Sequence, residues 1–192
     1  MMFNPDIHHR HSIRFKGYDY TQDGVYFVTI CAWERECLFG DIADGLARLS
    51  EIGKIVREEW MRTQVLRSNV ELDTFVVMPN HFHAIFGINN SVGAHCVRPN
   101  SQRPNGIENR AHVSAPLRRQ PDSVGSIIAG FKSAVTKRIN EQRGTPKVPV
   151  WQRNYYEHVV RDDNDLAATR QYIADNPAKW TDDQHYSNCM RP

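Results

Sequence analysis

No apolar run in this chain approaches the roughly 20 residues that a helix needs to cross a bilayer. The N-terminal "MMFNPDIHHRHSIRFKGYDY" lacks both the apolar core and the small-residue cleavage site of a secretory signal. Both absences lead us to expect a soluble, cytoplasmic protein with no membrane partner. Cysteine is scarce: Cys31, Cys37, Cys96 and Cys189 are the four, and no two form a C-x-x-C pair. That argues against a structural zinc knot or a dithiol redox motif, and for reduced thiols. No G-x-x-x-x-G-K-[ST] loop occurs, so nothing points to nucleotide-driven chemistry. Strong overall charge is missing too, the formal net charge being +2. Global charge therefore does not mark a nucleic-acid binder.

What is present is ordinary for a globular protein. At 192 residues, with 40% hydrophobic and 24% charged positions, the chain can bury one sizeable core, and a single domain over 1–192 is expected. Charge is unevenly distributed. Between Ser123 and Arg161, Lys132, Lys137, Arg138, Arg143, Lys147, Arg153 and Arg161 face only Glu141 and Glu157. A basic face of this kind attracts phosphates or simply solvates a helix.

Periodicity divides the chain into elements. "GVYFVTICAW" is rich in β-branched and aromatic residues after the turn-like "TQDG" and reads as a core strand. Ile52, Ile55, Val56 and Trp60 recur at helical spacing behind Ser50, a suitable N-cap. "VELDTFVVM" and "HFHAIFGI" read as two strands of a hairpin, joined through Pro79-Asn80. From about residue 89 to 122 periodicity disappears, and a flexible insertion is expected. Ile127, Ile128, Phe131, Val135 and Ile139 then share a helical face. "NYYEHVVRDD" is short and extended, and "DNDLAATRQYIADNP" is a helix with acidic residues at its start and Pro177 as a stop. Strands interrupted by single helices imply an α+β fold: a mostly antiparallel sheet of four to five strands with three main helices packed on it.

The unusual feature is "MPNHFHAIFG". Alternation along a strand places His81 and His83 on one face and Phe82 on the other, so Phe82 anchors the core while the two imidazoles meet at an open surface. Two neutral imidazoles side by side suit a metal ion; two surface histidines bonded to water are the alternative. A metal site needs further ligands, and the last helix offers candidates. Tyr172 and Asn176 stand four residues apart in "YIADN", on one helical face. Asn176 presents a carbonyl oxygen and Tyr172 a phenol; alternatively Tyr172 packs and Asn176 ends the helix.

These segments together resemble a known family. "SIRFKGYDYTQDGVYFVTICAWERECLFG", "VVMPNHFHAIFGI", "GSIIAGFKSAVTKRIN" and "VWQRNYYEHVVRDDNDLAATRQYIADNPAKW" are similar to the single-tyrosine HUH transposases, most of all to the REP-associated tyrosine transposases. The resemblance covers most of the chain outside residues 89–122 and the extreme ends. It implies an HUH endonuclease fold in which His81 and His83 are the metal-binding histidines, Asn176 is a third polar metal ligand and Tyr172 is the nucleophile. It further implies Mg²⁺, with Mn²⁺ as substitute, acting on single-stranded DNA at hairpin-forming palindromic repeats. Cleavage and rejoining would pass through a 5′-phosphotyrosine bond, in the cytoplasm of a bacterium and in association with its nucleoid. The protein would work as a homodimer or a monomer. Imidazole ligands alone suit zinc, nickel or manganese better than magnesium, so a site poor in carboxylates sits awkwardly with Mg²⁺.

Tyr155 and Tyr156, adjacent phenols near His158, are rival nucleophiles. Arg14, Lys16, Lys132, Lys137, Arg138 and Arg153 are candidate phosphate contacts, and Tyr18, Tyr20 and Trp151 are candidate platforms for unpaired bases. The competing expectation, from a different functional class, is a non-catalytic regulator that binds DNA or RNA hairpins on the same fold.

Overall fold

The structure is a computed structural model and describes residues 19–90, 120–183 and 185–186. Arg14, Lys16 and Tyr18, and the greater part of the expected insertion, lie outside the described residues. Six strands and three α-helices follow one another as β1 (Gly24–Cys31), β2 (Gly40–Ala43), β3 (Leu46–Leu49), α1 (Glu51–Leu66), β4 (Val70–Val77), β5 (His81–Ile88), α2 (Val124–Arg143), β6 (Tyr156–Val160) and α3 (Asp163–Asp175). The main sheet has the order β4-β5-β1-β6 and is antiparallel throughout. The expected α+β architecture is thus observed. The separate β2–β3 ribbon was not among the expected elements. Its turn is Asp44-Gly45, both at positive φ (54° and 71°), a pair of residues suited to tight two-residue hairpins.

The helix starts and stops follow side-chain chemistry. Ser50 caps α1 by accepting from the Gly53 amide at 3.1 Å, and its hydroxyl donates to the Leu38 carbonyl. Gly53 is required there, since a Cβ would stand 2.0 Å from the Phe39 carbonyl oxygen. Ser123 caps α2 by accepting from the Ser126 amide, and Gly144 closes it in the left-handed conformation. Asp162 caps α3 by accepting from the Asp165 amide at 2.9 Å, with Asp163 and Asp165 in its first turn.

The two faces of the sheet have different work. On one, Tyr26, Val28, Ile30, Phe82 and Phe86 pack against Val56 and Trp60 of α1 and Ile127, Phe131 and Val135 of α2. The Trp60 ring lies 5.1 Å from both Phe82 and Phe131. Emptying such a buried aromatic position typically costs about 3–5 kcal/mol. On the other face, Phe27 and Ile85 meet Ile173 of α3 in a smaller cluster. The β1–β5 register pairs Thr29 with His83 and Cys31 with His81, so these four side chains share that second face. The imidazoles do not meet at an open surface: His81 is 0% and His83 1% exposed. The reason is that α3 and the segment that follows it cover them.

Cys31 is free, but Cys37 is disulfide-bonded, against the expectation of reduced thiols. No helix among the described residues is long and apolar enough to cross a membrane.

Candidate active site

β5 lies at the centre of the sheet, where ladder bonds on both sides hold its backbone, and it carries the two histidines into a narrow space. Their rings lie 4.5 Å apart between centroids. The hydrogen bonds of His81 settle its tautomer. Asn80 uses its amide nitrogen to donate to the carbonyls of Arg35 (3.1 Å) and His185 (2.8 Å), so its Oδ1 is the acceptor that faces His81 Nδ1 at 2.9 Å. His81 Nδ1 must therefore donate. The lone pair is left on Nε2, which is buried with no hydrogen-bond partner. An imidazole held through one nitrogen and bare at the other is the arrangement of a metal-ligating histidine.

His83 is held in a comparable way. Its Nδ1 lies 2.8 Å from Thr29 Oγ1, across the strand pair, and Phe27 stacks on its ring at 5.5 Å. Its Nε2 faces the Tyr172 hydroxyl at 3.4 Å. Burial holds both imidazoles neutral: His81 falls to about 2, by burial first and then by His83 and His185, with the Asn176 side chain opposing; His83 falls to about 3, by burial and then by His185.

α3 brings Tyr172 and Asn176 to this place on one face, as their four-residue spacing requires. Tyr172 stays 44% exposed and meets Phe27 edge-on at 6.0 Å. Burial of the phenol and the Asp183 carboxylate raise its pKa, and Asn176 opposes them. Asn176 is buried, with its Nδ2 3.5 Å from Asp183 Oδ2 and its Oδ1 without a partner. Four of the residues singled out from the sequence, His81, His83, Tyr172 and Asn176, thus converge.

Two neighbours were missed. Ligand atoms of His81, Asp183 and His185 lie within 4.8 Å of one another. His185 packs on His81 with ring centroids 4.7 Å apart, and its buried Nδ1 also lacks a partner. Its pKa is lowered by burial, against the Asp183 carboxylate. The segment is tied down by the Asn80 bond to the His185 carbonyl, by the Asp183 carboxylate accepting from the His185 amide at 2.6 Å, and by Trp180 against the His81 ring. The only signal for it in the sequence is an acid-x-His in "DDQHY", which has no periodicity to set it apart.

The remaining expected contacts fall elsewhere. Lys132 Nζ donates to the carbonyls of Gln152 (2.5 Å) and Arg153 (3.2 Å). Arg138 pairs with Glu58 and Glu59 at 2.7 Å each, and Lys137 lies 3.8 Å from Glu141. These α2 residues belong to the layer on the opposite face of the sheet from the histidines. Arg153 is exposed, and Trp151 is buried in the main core. Tyr155 packs against that core as well, whereas Tyr156 is exposed on β6. A groove of about 670 Å³ opens beside Tyr172, and Arg35, Tyr156, His158 and His185 are among its walls.

No family model matches the chain. It is 38% identical over 184 residues to an uncharacterised protein of Haemophilus influenzae, covering 96% of this chain and 97% of that one. A second Haemophilus influenzae protein, provisionally named a REP-associated tyrosine transposase, is 31% identical over 81 residues, which is 38% of this chain and 46% of the relative. Among solved structures, a REP-associated tyrosine transposase bound to a REP hairpin superposes with a TM-score of 0.51 at 20% identity, over 85% of this chain and 72% of that one. The resemblance in fold read from the sequence is therefore borne out.

Proposed function

We propose, for a chain that belongs to one family with the Haemophilus influenzae protein it matches end to end and that folds like a REP-associated tyrosine transposase, that it is a transposase-like enzyme acting on hairpin-bearing single-stranded DNA. Tyr172 is the nucleophile. The observation that carries this reading is the meeting of a half-exposed phenol with a bank of buried polar atoms that have no hydrogen-bond partner: His81 Nε2, Asn176 Oδ1 and His185 Nδ1.

Buried polar atoms without partners are expensive, and each needs an explanation. A divalent cation explains all three together. The residues that would hold it are His81, His83 and Asn176, with Asp183 and His185 in addition. Asp183 supplies the carboxylate that the sequence reading lacked, and makes the set a better match for Mg²⁺ or Mn²⁺ than imidazoles alone. When bound, the ion would polarise the scissile phosphate as a Lewis acid.

The protein's own groups account for the rest. Tyr172 reaches the groove from one side, where a DNA strand has access. With His83 Nδ1 donating to Thr29, its Nε2 lone pair is the one left for the ion, and the Tyr172 proton passes to water in the open groove. The Tyr172 oxygen forms a bond to phosphorus while the bond to the 3′ oxygen breaks, giving a 5′-phosphotyrosine ester and a free 3′-hydroxyl. That ester retains the energy of the phosphodiester, so the reverse attack rejoins DNA without ATP. Because the Tyr172 hydroxyl and His83 Nε2 meet within one chain, a single copy can supply both groups.

Labelled single-stranded hairpin DNA incubated with the protein, with and without Mg²⁺ or Mn²⁺, tests the proposal. A metal-dependent covalent adduct that disappears in Tyr172→Phe supports it. Tight binding with no adduct would favour the hairpin-binding regulator instead.

A further inference from the structure

Beside Arg35, His158 and His185, the groove next to Tyr172 has apolar and amide walls that phosphate chemistry does not explain. Its volume of about 670 Å³ is within the roughly 300–1,000 Å³ of sites that take small molecules. Phe27, Tyr155, Tyr156 and Ala168 supply apolar wall, and Gln152 and Asn154 supply amides. Tyr156 is 43% exposed, although it is a large aromatic side chain on a sheet strand, and it meets Phe27 edge-on at 6.2 Å. A side-chain amide offers a donor and an acceptor side by side, as the edge of a nucleobase does.

The wall that carries the amides is unusually well fixed for a loop. Gln152 donates its backbone N–H to the Cys31 carbonyl at 2.9 Å, and Trp33 donates to Val150 at 2.8 Å. Ala32 and Trp151 form a β-bridge. From α2, Lys132 reaches through to the carbonyls of Gln152 and Arg153. The Lys132 ammonium thus braces this wall, which is a different role from the phosphate contact expected of it. A wall held in place before the ligand arrives loses little conformational freedom on binding.

We propose that this groove receives one unpaired nucleobase next to the reacting phosphate, with Tyr156 as its stacking platform and the Gln152 and Asn154 amides at its edge. The proposal rests on the reading of Tyr172 as the nucleophile only for the placement of the base, since Tyr172 lines the same groove. The pocket sets which base stands at the cleavage position, and the strand is thereby registered against the phenol.

The test uses the full chain and hairpin oligonucleotides in which 2-aminopurine replaces each unpaired base in turn. One position is expected to change fluorescence on binding through stacking. The change should be lost in Tyr156→Ala and recovered in Tyr156→Phe, and base–aromatic stacking sets the expected loss of affinity at about tenfold. Adduct yield, read in the same samples, reports on the nucleophile separately. An abasic site at that position should slow adduct formation in the wild type, and Tyr156→Ala should add nothing to that defect. Fluorescence that is the same at every position, or unchanged by Tyr156→Ala, would overturn the pocket whether or not adduct forms. Equal and additive defects of the variant on normal and abasic strands would overturn it too.

Discussion

The Tyr172 hydroxyl lies 3.4 Å from His83 Nε2, although 89 residues separate the two in sequence. One residue comes from the central strand of the sheet and the other from the last helix, and nothing local connects them. What joins them is the packing of Ile173, the neighbour of Tyr172, onto Phe27 and Ile85. That small apolar cluster fixes α3 on the histidine face, and the phenol follows from it.

A second tie holds the same helix. Arg170 grips Asp73 of β4 through Nε (3.0 Å) and Nη2 (2.6 Å) to Oδ2, at the point where the β4–β5 register shifts between Leu72 and Phe75. Asp73→Ala should lower the rate of adduct formation severalfold while DNA affinity changes little, because the helix is less well placed rather than the groove altered. An exchanged pair, Asp73→Arg with Arg170→Asp, should recover part of the rate. Stability should change by no more than about 1 kcal/mol, since the Arg170 end of the pair is half-exposed. Single-turnover kinetics beside binding titrations check this.

Asn80 gives a prediction about metal affinity. It holds His81 by Nδ1 and the His185 backbone by its own amide, so Asn80→Ala should weaken Mn²⁺ binding by roughly 10–100-fold, the usual effect of removing the group that orients a ligating histidine. Asp183→Asn and His185→Ala should each weaken it as well. Isothermal titration calorimetry reads all three, and unchanged affinity in every variant would remove these residues from the metal site.

The buried histidines make the metal-free protein sensitive to acid. In the folded chain they resist protonation until about pH 2 for His81 and about pH 3 for His83, whereas unfolded histidine takes up a proton near 6.5. The unfolded state therefore binds more protons over the window from about pH 6.5 down to about pH 3. Stability is highest above that window and falls as pH drops through it, by up to about 1.4 kcal/mol per pH unit for each histidine. Thermal melts between pH 8 and 4.5 should show Tm falling below pH 6.5, and His83→Gln should flatten that slope.

The parts of this arrangement that were legible in the sequence are those that a period exposes. The two-residue period of "HFHAIF" put both imidazoles on one face, the four-residue spacing put Tyr172 over Asn176, and Ser50 announced the start of α1. Burial was not legible. A strand pattern says which face a side chain takes, not what covers it, so the histidines were expected in the open. Asp183 and His185 belong to a segment without regular structure, placed by hydrogen bonds from Asn80, which itself read as an ordinary turn residue. The basic residues of α2 show the same limit. Charge on a helix gives no hint that Arg138 is taken up by Glu58 and Glu59, or that Lys132 braces a loop.

Three tyrosines border or enter the groove, and the whole account depends on which one reacts. The most direct measurement is to trap the protein on single-stranded hairpin DNA with Mn²⁺, digest both components, and locate the residual nucleotide by tandem mass spectrometry. The account predicts a single modified residue, Tyr172, carrying a 5′-linked phosphate. A nucleotide on Tyr155 or Tyr156, or DNA cleaved with no tyrosine modified, would contradict it.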